Sequence, residues 1–190
     1  MTTQTTNNGQ LMLQIASGIA RRGFFVVSVG SGRCAVPGCC CTPEPQPWCY
    51  TIGLSELQHP ELVVMGLPPE AAHSVMTRAY ERARFGNPLE SGVEYELDSV
   101  RIKLVEVPGD WLATDPSRMA LWVQHYGPGR KALTLPYVTQ LVWADAAGRF
   151  PDDPACDPAI RELQPVLADN PVDYPRKASR ADRRRSARGR

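Results

Sequence analysis

Residues Trp48 to Pro69 read WCYTIGLSELQHPELVVMGLPP: two short apolar runs, Tyr50–Leu54 and Leu62–Leu67, joined by a polar connection that holds His59, Pro60 and Glu61. Runs of this length, rich in Ile, Val, Leu and Tyr and punctuated by Gly and Pro, predict two β-strands and the loop between them. Pro68-Pro69-Glu70 then starts a helix, because proline costs little in a first turn and an acid there meets the positive end of the helix dipole. Ala72, Val75, Met76, Ala79 and Ala83 supply its apolar face, and it is expected to run to about Arg84, before Gly86.

Upstream, Leu11, Ile15 and Ile19 recur every four residues, which predicts a helix from Gln10 that ends at Gly23 after Arg21 and Arg22. Phe24–Val29 follows as a dense run of aromatic and β-branched residues, read as a buried strand. Downstream, Val93, Tyr95 and Leu97 alternate with acids, and Val100, Ile102 and Leu104 alternate with basic residues about Asp98-Ser99. That pattern predicts an antiparallel hairpin with one wet face, its Glu and Lys/Arg side chains pairing across strands. A short helix capped near Asp115 with Met119, Trp122, Val123 and Tyr126 inward, and a last strand over Tyr137–Trp143, complete the pattern. Strands grouped together, with helices between the groups, predict an α+β domain with a mainly antiparallel sheet and two or three packed helices. The domain is expected to span 10–168, between a disordered N-terminus over 1–9 and a disordered basic tail over 169–190.

The chain has 190 residues and a formal net charge of +1 that is unevenly distributed. From Arg176 to Arg190 seven Arg and one Lys face a single acid, Asp182, so this stretch carries +7 and the rest −6. Arg180, Arg183, Arg184 and Arg185 are the candidates for weak, salt-sensitive and nonspecific contact with nucleic acid. The tail has no interleaved aromatic residues, so base stacking is not indicated. The start, MTTQTTNNGQ, lacks a basic then apolar leader, and no run of about 18 apolar residues exists, so the expected address is cytoplasmic, with no membrane partner.

Five of the six cysteines, Cys34, Cys39, Cys40, Cys41 and Cys49, fall between positions 34 and 49, in a Pro- and Gly-rich loop over 30–47 and at its exit. In a reducing compartment thiols so clustered are candidate ligands of a soft metal, zinc in the first place. The spacing C-x4-C-C-C-x7-C departs from paired C-x2-C knuckles, and the plain alternative is a loop of oxidisable thiols with Cys49 as a small buried residue on a strand. His59 and Glu61, with Tyr50 on the neighbouring strand, are candidate ligand-binding residues at a strand mouth. The competing reading has Pro60 start the strand while His59 and Glu61 bond to nearby backbone and lock the turn, and we favour it for that pair. Asp145 and Arg149 are expected to close a turn by an ion pair.

Tyr50-Thr51-Ile52-Gly53-Leu54 and His59-Pro60-Glu61-Leu62, followed in order by Gln140–Asp145 (QLVWAD), Gly148–Pro151 (GRFP) and Gln164–Leu167 (QPVL), resemble the signature of the bacterial family called domain of unknown function 4262. The resemblance runs from about Arg22 to Leu167 and implies a small α+β cytoplasmic domain. It carries over no catalytic residue. Two departures stand out: the cysteine-loaded loop over 30–47, and Asp152 where the family has an aromatic residue after its GRFP block.

The sequence shows no nucleophile and base arrangement and no phosphate loop, which favours a small binding or interaction domain whose partner is a protein or a small ligand. The alternatives are a metal- or redox-responsive protein built on the cysteines, and an enzyme whose barrel-like sheet binds a flavin or nucleotide.

Overall fold

The structure, a computed structural model, describes residues 3–30, 47–127 and 135–167. The elements in chain order are α1 (Thr3–Arg22), β1 (Phe25–Val29), β2 (Trp48–Ile52), β3 (Glu61–Met65), α2 (Pro69–Arg84), β4 (Glu94–Leu97), β5 (Val100–Glu106), α3 (Asp110–Thr114), α4 (Ala120–Tyr126), β6 (Val138–Trp143) and α5 (Pro158–Leu163). Six strands form one sheet in the order β1-β2-β3-β6-β5-β4, in which every neighbouring pair is antiparallel except β3 with β6. The sheet is therefore open, with β1 and β4 at its edges, and not closed into the barrel-like form entertained for a flavin- or nucleotide-binding enzyme. This is the α+β architecture expected from the grouping of the strands.

Both faces of the central strands are covered. Against one face α2 lays Ala72, Val75, Met76, Ala79 and Tyr80, which pack with Phe24, Cys49, Leu62, Val64, Leu104 and Leu141. Against the other, Ile15 and Ile19 of α1, Leu112 of α3 and Trp122 of α4 pack with Val27, Tyr50, Val63 and Val138. Successive residues of a strand point to opposite faces, so a strand covered on both sides is apolar at nearly every position. That is why β2 and β3 read as continuous runs instead of alternating ones. At about 25 cal/mol per Å² of apolar surface, each fully buried Leu or Ile contributes about 2 kcal/mol, and the two clusters together hold the layers on the sheet.

The β4–β5 hairpin pairs in the register Leu97↔Val100, with Asp98 and Ser99 at φ 48° and 66°. Two consecutive left-handed residues are what a two-residue type I′ connection requires, and its twist matches that of the strands. The cross-strand charge pairing expected of its wet face is present: Arg101 donates to Glu94 at 2.7 Å.

Helix α1 begins at Thr3 where apolar periodicity placed its start at Gln10, so helix and not disorder occupies most of the N-terminal stretch. Adding a residue to a formed helix costs little, and polar residues at an end need no apolar partner to join it. The helix expected after a cap at Asp115 is divided into a 3-10 turn over Pro116–Met119 and α4, the break falling at Met119, whose φ of −117° and ψ of 47° are not helical; α3 precedes the expected start. The expected tail over 169–190 lies outside the described residues, as do Cys34, Cys39, Cys40, Cys41 and the candidate arginines of the tail.

Candidate functional site

The loop between β2 and β3 is built around one carboxylate. Glu61, the first residue of β3, is fully buried and accepts six hydrogen bonds. They come from Thr51 Oγ1 (2.7 Å), from the backbone N–H groups of Gly53 (3.1 Å), Leu54 (3.3 Å) and Ser55 (3.1 Å), from Ser55 Oγ (2.7 Å), and from the indole Nε1 of Trp122 (3.1 Å). A carboxylate offers about four lone-pair sites, so this one has no acceptor capacity left for a ligand. Thr51 Oγ1 in turn accepts from the N–H of Leu62 at 2.8 Å, which ties β2 to β3 beyond the end of their ladder. Gly53 is required here: its φ is +128°, and a Cβ would stand 2.6 Å from the carbonyl oxygen of Gly23.

The C-terminal segment is held by two buried glutamines. Gln164 accepts from the Trp143 N–H at 2.9 Å and donates to the Trp143 carbonyl at 2.6 Å, so one side-chain amide takes the place of a strand partner where the pairing of β3 with β6 has ended. Gln140 donates to the Pro165 carbonyl at 2.9 Å and accepts from the Leu167 N–H at 2.8 Å. Asp145 closes its turn as expected, accepting from the N–H groups of Ala147, Arg149 and Asp157 and from the Arg149 guanidinium at 3.0 Å. The hydrogen bond from the Arg149 backbone, joined by those from Asp157 and Ala147, holds its carboxyl at about 2, against an opposing push from burial.

A cleft of about 530 Å³ opens on the α2 side of the sheet, at the end where β3 and β6 begin and β5 ends. Leu62 and Leu104 of the sheet, Ala79 and Ala83 of α2, and Leu89 of the α2–β4 connection make it apolar, and His59, Glu106 and Thr139 bring polar groups to it. Its volume falls within the ~300–1,000 Å³ typical of small-molecule sites. His59 is half-buried, and its backbone N–H donates to the Leu54 carbonyl at 3.2 Å, so the Glu61-centred loop sets where the imidazole sits.

A family model described as Domain of unknown function (DUF4262) matches residues 18–157, most of the chain. The chain belongs to this family. No curated protein and no solved structure matches it. In this DUF4262 domain four of the blocks singled out in the sequence lie within the matched stretch, and QPVL lies beyond it; the five bond to one another, YTIGL and HPEL through Thr51, Gly53, Leu54 and Glu61, QLVWAD and QPVL through Gln140, Trp143 and Gln164, and QLVWAD and GRFP through Asp145 and Arg149.

The candidate residues named from the sequence are not gathered around one cavity. His59 lines the cleft; Glu61 is enclosed by its donors; Tyr50 points to the opposite face, buried in the cluster formed with α1 and α4. Burial pushes the Tyr50 phenol up to about 12, against a hydrogen bond from the Leu121 backbone. Cys49 lies in the core under α2, 3.3 Å from Ser28 Oγ, and burial raises its thiol above the ordinary range. Among the described residues no group of three or more His, Cys, Asp or Glu side chains is arranged to hold a metal ion, and no helix is long and apolar enough to cross a membrane. His73 is exposed beside the Phe24 ring, and His125 packs edge-on against Tyr126. Sequence reasoning missed Glu106 and Trp122. The signal for Glu106 was the alternation Ile102, Leu104, Glu106, which sets a carboxylate on an apolar face; helical spacing turned Trp122 inward but gave no sign that its indole meets Glu61.

Proposed function

We propose that this domain is a small binding module and that its site is the cleft between the last turns of α2 and the sheet. The observation that carries the reading is the cleft itself: an opening of about 530 Å³ with an apolar bed and a few convergent polar groups, placed beside the loop that Glu61 holds rigid. Loops carried on a rigid scaffold are where binding residues concentrate, and a pre-organised site loses less entropy when a ligand arrives. The buried carboxylate, the most chemically suggestive group in the signature, then serves as a support, holding His59 at the rim without touching the ligand.

The test is a titration of the ¹⁵N-labelled protein with a neutral aromatic probe, 2-naphthalenemethanol, followed by amide shift changes. Saturable changes confined to residues around His59, Leu89, Leu104 and Thr139 are expected. Ala83→Phe, which fills the wall of the cleft from the partly exposed side of α2, should raise Kd about tenfold, a change of about 1.4 kcal/mol, while the protein stays folded. Saturation elsewhere, no saturation, or an unchanged Kd in the folded variant overturns the reading.

A further inference from the structure

We infer that the ligand of this cleft is an amphipathic cation, an apolar body bearing a primary ammonium group; this rests on the cleft being the binding site. Strand β5 presents Ile102, Leu104 and Glu106 on the face under α2, and the first two are buried in the core there. At Glu106 the face emerges into the cleft, and the position that would continue the apolar row holds an exposed carboxylate. None of the ion pairs among the described residues involves Glu106. Its neighbours on β5 are committed elsewhere: Arg101 to Glu94, and Lys103 to Asp152 at 2.7 Å beside the Phe150 ring.

The surroundings of that carboxylate suit a positive charge with several N–H donors. Glu106 pairs in register with Thr139, whose hydroxyl is a second acceptor on the cleft, and the His59 imidazole, when neutral, supplies a third. Among the described lining residues none is Lys or Arg, so these residues offer no fixed positive charge to an anionic ligand. Ala79 and Ala83 belong to the C-terminal half of α2, and the carbonyl end of a helix carries partial negative charge that favours cations. The apolar bed of Leu62, Leu89 and Leu104 takes the body of the ligand, and the Glu106 end takes its head.

Three probes that share one aromatic body separate the cleft from the charge preference: 2-naphthylmethylammonium, 2-naphthalenemethanol and 2-naphthoate, titrated at pH 8 and fixed ionic strength by amide shifts. The ammonium is expected to bind at least about fivefold more tightly than the alcohol, with the carboxylate weakest. Glu106→Gln, at an exposed strand end, should erase the difference between ammonium and alcohol. If the alcohol does not saturate at the cleft, the binding-module reading itself fails and takes this inference with it. If the alcohol saturates there and the ammonium binds no tighter, or Glu106→Gln keeps the preference, the cation inference fails while the cleft stands.

Discussion

Trp122 donates its indole N–H to a carboxylate oxygen of Glu61, 61 positions away in the chain, at 3.1 Å in the buried layer between α4 and the sheet. That contact fastens a helix from the second half of the chain onto the loop between the first two central strands. The same carboxylate takes three backbone N–H groups of its own loop, so the geometry of the loop and the docking of α4 depend on one side chain. Tyr126, one turn further along α4, repeats the connection at the surface by donating to Glu56 at 2.9 Å.

Glu61→Gln should therefore destabilise the protein more than its near-identical shape suggests. One oxygen becomes an NH₂ group facing donors, which leaves buried N–H groups unpartnered at about 1–3 kcal/mol each. A loss of about 3 kcal/mol is expected, and thermal unfolding should fall by roughly 6–12 °C for a chain of this size. Trp122→Phe, which removes one of the six donors and keeps an aromatic ring, should cost about half as much. Equal melting temperatures for wild type and Glu61→Gln would refute the supporting role of the carboxylate.

Gln164 replaces a strand with a side chain, and Gln164→Leu should expose that substitution. The Trp143 N–H and C=O both lose their partner, and about 2–4 kcal/mol of stability is expected to go with them. Hydrogen exchange offers the more specific readout: the Trp143 amide should lose protection by a larger factor than the amides of β1. Uniform acceleration across the sheet would mean that the residue acts only through global stability.

The Asp145 carboxyl is held at about 2 against an ordinary 3.8, so the folded state binds its proton less readily than the unfolded chain does. A depressed folded pKa contributes stability that is present above the unfolded value and is lost as pH falls through the folded one. The urea midpoint should thus fall between about pH 4 and pH 2, and the Asp145→Asn variant should show a shallower fall across that window. Asp98 and Asp152, also lowered by their hydrogen bonds with Ser74 and Lys103, contribute to both curves, so the difference between the two proteins is the quantity to measure.

Cys49 and Cys156 are buried, and burial raises both thiols. The thiolate is the reactive form, so both should resist iodoacetamide at pH 7.5 in the native protein and react in urea. Peptide mass spectrometry after a timed pulse distinguishes them. Fast native labelling of Cys49 would mean that the β1–β2 edge of the sheet opens readily.

Much of the fold was legible because the signals are local. The proline start and the apolar spacing of α2, the dense runs of β1, β2, β3 and β6, and the alternation of the β4–β5 hairpin each lie within one element. The pairing of Asp145 with Arg149 was legible too, since four residues separate them across a glycine turn. Tyr50 was a different case. It stands next to the signature loop in sequence, yet β2 is covered on both faces, and a continuous apolar run carries no mark of which face each side chain takes.

The amino-acid sequence by itself determined the strands, the start and face of α2, the α+β class and the family, because periodicity, turn chemistry and the signature blocks are properties of short stretches. Only the tertiary structure decided what the signature is for. Glu61 and Trp122, Gln164 and Trp143, and Glu106 and Thr139 are brought together by strand order and helix docking, across separations where no local pattern acts. A carboxylate near a strand mouth reads as an acid, a ligand or a brace until its donors are in place. Here six of them converge on Glu61 and make it a brace, while Glu106, which has no ion pair among the described residues, faces the cleft.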